Sequence, residues 1–251
     1  MPERVAPVVL VSPAMAIGSH FYAPLVAAFE ERGWDARATP RRGFERGLPR
    51  AARGNDWSYR DEIDDLAGFV AESRRDRPER PVIVLGHSLG GHMAVGHDHL
   101  HTPVDGIVTV GSGLPHPKHF PYWGAGLHAI GRLMWPLTAA AGHVPKPVFG
   151  APGAKTLMRE WARMARGGAA PFPVSPPLTT PALLVQLEKD SYAVAKATAA
   201  FADLFTPAST TRWRYTRDQT PPGGTTHHIM WVKHPEVVVD RIIEWWDALQ
   251  R

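Results

Sequence analysis

The sequence predicts an α/β fold, a mostly parallel sheet with helices on both faces, and three observations predict it. Short β-branched runs alternate with stretches whose apolar residues recur at helical spacing. The runs at 8–11, 82–85, 104–110 and 182–187 are largely apolar, as strands covered on both faces must be. The helical stretches between them carry start and stop signals.

The elements follow in chain order. Val8 to Val11 is the first strand, and Pro24 sits in the first turn of a helix that closes at Gly33. Ser58-Tyr-Arg-Asp61 resembles a capping box ahead of Ile63, Leu66 and Val70. Val82 to Leu85 is a strand, and the helix after it carries Leu89, Met93, Gly96 and Leu100 on one face. The runs Val104–Val110 and Ala182–Leu187 are further strands, and Val194, Ala197, Phe201 and Leu204 mark the penultimate helix. From Ser209 to Tyr215, Trp213 and Tyr215 alternate with Arg212 and Arg214, the pattern of a strand near the sheet edge. The last helix opens with Pro235 and is expected to bury Val238, Ile242, Trp245 and Leu249.

One interval breaks this rhythm. From Gly111 to Pro181 there are about 70 residues where a crossover of about a dozen would suffice. A featureless loop of that length is improbable. The stretch is rich in Pro, Gly, His and Trp, with helical spacing around Leu157, Trp161 and Met164. It is predicted to be a cap over one end of the sheet, which divides the chain into a core of residues 1–112 and 179–251 and a cap of residues 113–178.

Composition narrows the function. The 251 residues are 44% hydrophobic and 21% charged, an ordinary globular balance with one domain as the default. Cys is 0, which removes disulfides, thiolate nucleophiles and Cys-based metal sites, and fits a cytoplasmic location. The net charge of +4 is spread along the chain, so no nucleic-acid partner is expected. The densest basic stretch, Arg41 to Arg53, lies in a segment, Pro40 to Gly54, that has five Gly and Pro residues including both ends, and reads as a solvated loop. No run approaches the ~20 apolar residues that span a bilayer. Val5 to Ile17 could pass for a signal-peptide core, but Glu3, Pro7, Ser12 and Pro13 fit a buried strand and turn better.

The chemistry is carried by Gly86-His87-Ser88-Leu89-Gly90, which follows an apolar run and leads straight into a helix. With 23 Gly and 9 Ser in the chain, a chance Gly-x-Ser-x-Gly match is expected in fewer than about one in ten such sequences. The spacing has a physical reason. A serine on a strained strand-to-helix turn projects its Oγ from the sheet, and side chains at the flanking glycines would collide there. The helix beneath aims unpaired N–H groups and its positive dipole end at the same point.

The sequence Gly-His-Ser-Leu-Gly-Gly at 86–91 resembles the nucleophile elbow of the α/β-hydrolase fold family, and the likeness runs along nearly the whole chain. Ser-Pro-Ala-Met15, Phe-Tyr-Ala-Pro-Leu25 and Glu-Arg-Gly-Trp34 are similar to a bacterial branch of predicted hydrolases with mostly unassigned substrates. The resemblance implies a sheet of about six strands, an inserted cap, and a nucleophile, acid and histidine in that order. Ser88 needs a base, because a free hydroxyl is negligibly ionised near neutral pH. In the family the histidine comes six residues before a His-Pro-Glu helix start, and counting back from His234 gives His228, with His227 as its rival. The acid ends the strand at 181–190, so Asp190 is the match, with Glu188 and Asp218 as rivals. The first oxyanion donor is the N–H of Leu89. The second comes from the turn after the first strand, where the family usually has His-Gly and this chain has Ser12-Pro13. Pro13 has no N–H, so the donor falls to Ala14 or Met15.

His116, Lys118, His119, Tyr122 and Trp123 open the predicted cap, just after the third run. With His87, His119 and Trp123 are candidate substrate-pocket residues. His97-Asp-His99-Leu-His101 is the densest histidine cluster, but it lacks a metallohydrolase order and reads as the polar end of a helix. Neither a metal nor any other cofactor is expected. The function implied is a serine hydrolase cleaving an ester, or an amide or thioester, of a small acyl substrate through an acyl-enzyme on Ser88. The competing readings are a non-catalytic binding protein on the same fold and an acyltransferase using the same triad.

Overall fold

The apolar runs become strands because each has helices to cover both its faces. The computed structural model describes residues 5–146 and 151–251. Its strands are β1 (Val8–Ser12), β2 (Asp35–Ala38), β3 (Val82–His87), β4 (Gly106–Val110), β5 (His143–Val144), β6 (Gly153–Ala154), β7 (Ala182–Leu187) and β8 (Thr210–Tyr215). Six of them form one sheet in the order β2-β1-β3-β4-β7-β8, and every pairing in it is parallel. The helices are α1 (Ala23–Glu30), α2 (Tyr59–Asp76), α3 (Leu89–Leu100), α4 (Ala125–Ala141), α5 (Lys155–Met164), α6 (Ala195–Ala202) and α7 (Glu236–Leu249).

Two cores flank the sheet, and the two-residue period of the strands divides side chains between them. Val8 and Leu10 join Ile63, Leu66, Met93 and Phe201 on one face. Val9 and Val11 join Leu25, Phe29, Ile242 and Trp245 on the other. The registers Ser12↔Gly86 and His87↔Val110 bring the C-terminal ends of β1, β3 and β4 to one edge. Ser58 caps α2 in a full capping box: Asp61 N–H donates to Ser58 Oγ at 3.2 Å, and Ser58 N–H donates to the Asp61 carboxylate at 2.8 Å.

Four details depart from the sequence expectations. β2 is a strand that Asp-Ala-Arg-Ala does not announce, because an edge strand needs no apolar run. β4 starts at Gly106, after Asp105 has turned its carboxylate to accept Val82 N–H at 2.8 Å. Leu249, in the last turn of α7, is exposed rather than buried. Arg41 is not solvated: its side chain is buried and paired with buried Glu62, and Trp57 Nε1–H donates to the same carboxylate at 2.9 Å.

Between β4 and β7 the chain makes its long excursion through α4, the β5–β6 ladder and α5. α5 is tied to α4 by Arg159 Nε–H donating to Thr138 Oγ1 at 2.7 Å. It is tied to the entry of α2 by Leu157 N–H to Trp57 O and Tyr59 N–H to Glu160. Among the described residues no helix is long and apolar enough to cross a membrane.

Candidate active site

β3 and α3 meet at Ser88, whose φ of 53° and ψ of −112° lie outside the regions an L-residue prefers. The turn closes this tightly only because its neighbours lack side chains. A Cβ at Gly90 would overlap the Ser12 carbonyl oxygen, and one at Gly86 would overlap the Gly90–Gly91 backbone. Ser88 N–H donates to Val110 O at 2.9 Å, and Ser112 Oγ–H donates to Ser88 O at 2.9 Å, so the strained residue is held from both sides.

Ser88 Oγ lies 3.0 Å from His228 Nε2, and His228 Nδ1 lies 2.7 Å from Asp190 Oδ2. The three residues are far apart in sequence and meet because β3, the segment after β7 and the loop before α7 all end at the same sheet edge. The other carboxylate oxygen of Asp190 accepts Tyr192 N–H at 2.8 Å and Ala193 N–H at 3.0 Å. Burial favours the neutral acid, but the hydrogen bond and charge of His228, with these two N–H groups, outweigh it and hold Asp190 below its ordinary pKa.

The rivals lie elsewhere. His227 Nδ1 faces the N–H groups of Ile229 and Met230. Glu188 accepts Arg217 N–H and faces Arg214, and Asp218 is exposed on a short turn.

The three candidate oxyanion donors differ in state. Ala14 N–H is already engaged, donating to Tyr22 Oη at 2.7 Å, so of the two alternatives after β1 only the Met15 N–H is without an acceptor among the described residues. Met15 N–H and Leu89 N–H donate to none of the described residues. Arg41 Nη1–H donates to Pro13 O at 2.7 Å.

His87 is no pocket residue. It is fully buried, with Nδ1 at 2.8 Å from Tyr22 Oη and Nε2 at 2.7 Å from His228 O. Burial, and then the neighbouring His228, push its pKa down to about 3, so the ring is neutral. Since His228 O can only accept, Nε2 carries the proton and Nδ1 accepts from the tyrosine. Trp231 Nε1, 3.3 Å from Nε2, meets the ring edge-on at 80°.

Trp123 is 81% exposed and Tyr122 91% exposed. Both side chains stand in solvent, and neither joins the triad. His119 packs its ring against His116, with centroids 5.6 Å apart. His97 faces Asp98 and His101 faces Asp64. Among the described residues no three His, Asp or Glu side chains are grouped to hold a metal. Tyr22 and Arg41 carry no motif that marks them. Their partners lie 65 and 28 residues away, and only the fold joins them.

Residues 3–159 match the sequence family described as serine aminopeptidase, S33. Comparison with curated proteins found no match. Among solved structures, ClbQ from the colibactin NRPS/PKS pathway is similar, with a TM-score of 0.63 at 17% identity over 98% of each chain. The type II thioesterase BorB from the borrelidin biosynthetic cluster gives 0.58 at 18% identity, covering 97% of this chain and 92% of that one. The monoacylglycerol lipase of Paleococcus ferrophilus gives 0.61 at 14% identity, covering 96% of each. At these identities the likeness is one of fold.

Proposed function

This chain belongs to the serine aminopeptidase S33 family of α/β hydrolases, and from that premise we propose that it cleaves an ester or thioester of a small acyl substrate in the cytoplasm through an acyl-enzyme on Ser88. The observation that carries the reading is the continuous chain from Ser88 Oγ to His228 Nε2 at 3.0 Å and from His228 Nδ1 to Asp190 at 2.7 Å.

His228 accepts the Ser88 proton as Oγ attacks the acyl carbonyl carbon, and Asp190 stabilises the imidazolium that forms. The tetrahedral oxyanion is met by the N–H groups of Leu89 and Met15, the first at the N-terminus of α3. As the intermediate collapses, His228 Nε2–H protonates the departing alkoxide or thiolate, leaving the acyl group on Ser88. Water, deprotonated by the same imidazole, then attacks that ester, and the acid leaves as the serine recovers its proton. In this reading residues 1–112 and 179–251 form the catalytic core, and residues 113–178 are a cap that shapes the acyl-binding space.

Fluorophosphonate labelling tests the assignment. The wild type is expected to label, and Ser88→Ala and His228→Ala to lose the label. An unlabelled wild type would favour a non-catalytic binding protein, and strong labelling of Ser88→Ala would mean a different nucleophile.

A further inference from the structure

The turn after β1 is held with more care than a surface loop needs. Its Pro13–Ala14 peptide has both polar groups tied to buried side chains: Arg41 Nη1–H donates to Pro13 O at 2.7 Å, and Ala14 N–H donates to Tyr22 Oη at 2.7 Å. A peptide bonded on both edges cannot rotate without leaving two buried groups unpaired. The next peptide is also engaged on one side, since Ala14 O accepts Ile17 N–H at 3.2 Å. The C=O and N–H of a trans peptide point in opposite directions, so Met15 N–H is turned away from that contact and stays unpaired among the described residues. The same tyrosine hydroxyl donates to His87 Nδ1 at 2.8 Å, and His87 Nε2–H donates to the backbone carbonyl of His228 at 2.7 Å.

We propose that Tyr22 and Arg41 are positioning residues that fix Met15 N–H as an oxyanion donor, and that His87 extends the same buried chain to the loop carrying His228. Ala14, Tyr22, His87 and His228 then form one line of hydrogen bonds. It holds the segment that would stabilise the oxyanion in register with the segment that would carry the base. Arg41 is braced for its part by Glu62, which also accepts from Trp57. This inference rests on the Ser88 reading and deepens it, because it names what sets the hole's geometry where this chain has Ser12-Pro13.

The test compares Tyr22→Phe, which keeps the ring and removes the hydroxyl, with wild type on an activated ester. The expected result is a fall in kcat of about 10- to 100-fold, below the about 10²–10³ seen when an oxyanion donor is removed outright. KM should change by less than about threefold. Affinity for a trifluoromethyl ketone, whose adduct carries the oxyanion, should fall by the same factor as kcat/KM, while affinity for the carboxylic acid product should not. His87→Gln, which can still donate and accept, should retain more activity than His87→Ala. If Tyr22→Phe does not fold, Arg41→Lys gives the same split by loosening the Pro13 carbonyl. Unchanged kcat and ketone affinity in a folded Tyr22→Phe or Arg41→Lys protein would overturn the proposal while leaving an active Ser88 intact. A wild type that neither labels nor turns over would overturn the Ser88 reading and this inference with it.

A separate observation concerns the substrate. An open groove of about 490 Å³ begins one residue beyond each of two site segments, at Ala16 after Met15 and at Ile229 after His228. Among the described residues its wall includes Phe44 and three basic side chains, His20, Arg50 and Lys146, and no carboxylate, although Glu45 interacts with His20. Among the described residues neither the Arg50 nor the Lys146 side chain has a hydrogen bond or ion pair. We infer that the groove accepts an acyl substrate bearing an anionic group, again on the premise that Ser88 is the nucleophile.

The probes are mono-p-nitrophenyl glutarate against p-nitrophenyl butanoate, and butanoyl-coenzyme A against its N-acetylcysteamine thioester. They put the anion on the acyl side and on the leaving-group side respectively. A preference of about three- to tenfold in kcat/KM for the anionic member of one pair is expected, shrinking as salt rises. Arg50→Glu with Lys146→Glu should abolish or invert it. Equal kcat/KM within both pairs would overturn the inference and leave the hydrolase reading standing; cleavage of none of the four would count against both.

Discussion

Two regions of the molecule, the rim at the C-terminal ends of the strands and the excursion between β4 and β7, are built differently. The rim segments after β1, β3 and β7 and before α7 bury their functional groups and satisfy them with short hydrogen bonds, as Tyr22, His87, Asp190 and His228 do. The excursion between β4 and β7 instead leaves Tyr122 and Trp123 in solvent and presents Ile130, Leu133 and Trp135 partly exposed along α4. The contrast teaches that the buried, mutually bonded polar groups of this end of the molecule are concentrated in the rim. The excursion is anchored mainly where α5 meets the start of α2, and its outer face stands in solvent.

Breaking the rim should have the largest effect. Ser88→Ala or His228→Ala is expected to reduce turnover by about 10⁴–10⁶, read by steady-state kinetics on an activated ester. A loss below about tenfold would mean that these groups do not act as a unit.

Acid should break the same region next. His87 and His92 are buried with pKa values lowered by burial to about 3 and about 4, whereas an unfolded histidine titrates near 6.5. Between these values the unfolded chain binds more protons, so stability falls as pH drops below about 6.5. The loss from pH 7 to pH 5 should be on the order of 2 kcal/mol per histidine, measured from urea midpoints. Asp190, with its lowered pKa, adds stability above its unfolded value that is lost at still lower pH. Equal midpoints at pH 7 and pH 5 would contradict this account of His87 and His92.

Gly90→Ala sharpens the comparison at the elbow. Its Cβ would strike the Ser12 carbonyl oxygen, which β1 holds in place, and a stability loss of about 1–3 kcal/mol is expected by thermal or chemical denaturation. In the excursion, Trp123→Ala should change stability by less than about 0.5 kcal/mol, since the side chain is 81% exposed. A loss comparable to that of Gly90→Ala would erase the distinction between the two regions.

The parallel core is legible in the sequence because strands covered on both faces must be apolar throughout, as Val82-Ile-Val-Leu85 is. The elbow is legible because two glycines and a serine at fixed spacing answer a steric demand made within a few residues. The convergence of His228 and Asp190 on Ser88 is legible only through likeness to a family, since nothing local couples residues 38 and 140 positions apart. β2 escapes notice because an edge strand can be polar. The buried Arg41–Glu62 pair escapes because a basic, Gly- and Pro-rich stretch looks solvated until its partner is known. Tyr22 and His87 are hidden for the same reason, each reading alone as a core aromatic or a motif neighbour.

The covalent step itself can be observed. When wild-type protein is mixed rapidly with a p-nitrophenyl ester that deacylates slowly, p-nitrophenol should appear in a burst stoichiometric with enzyme, and mass spectrometry of quenched protein should find one acyl group on the peptide containing Ser88. Turnover with no burst and no adduct, or an adduct on another residue, would contradict the account.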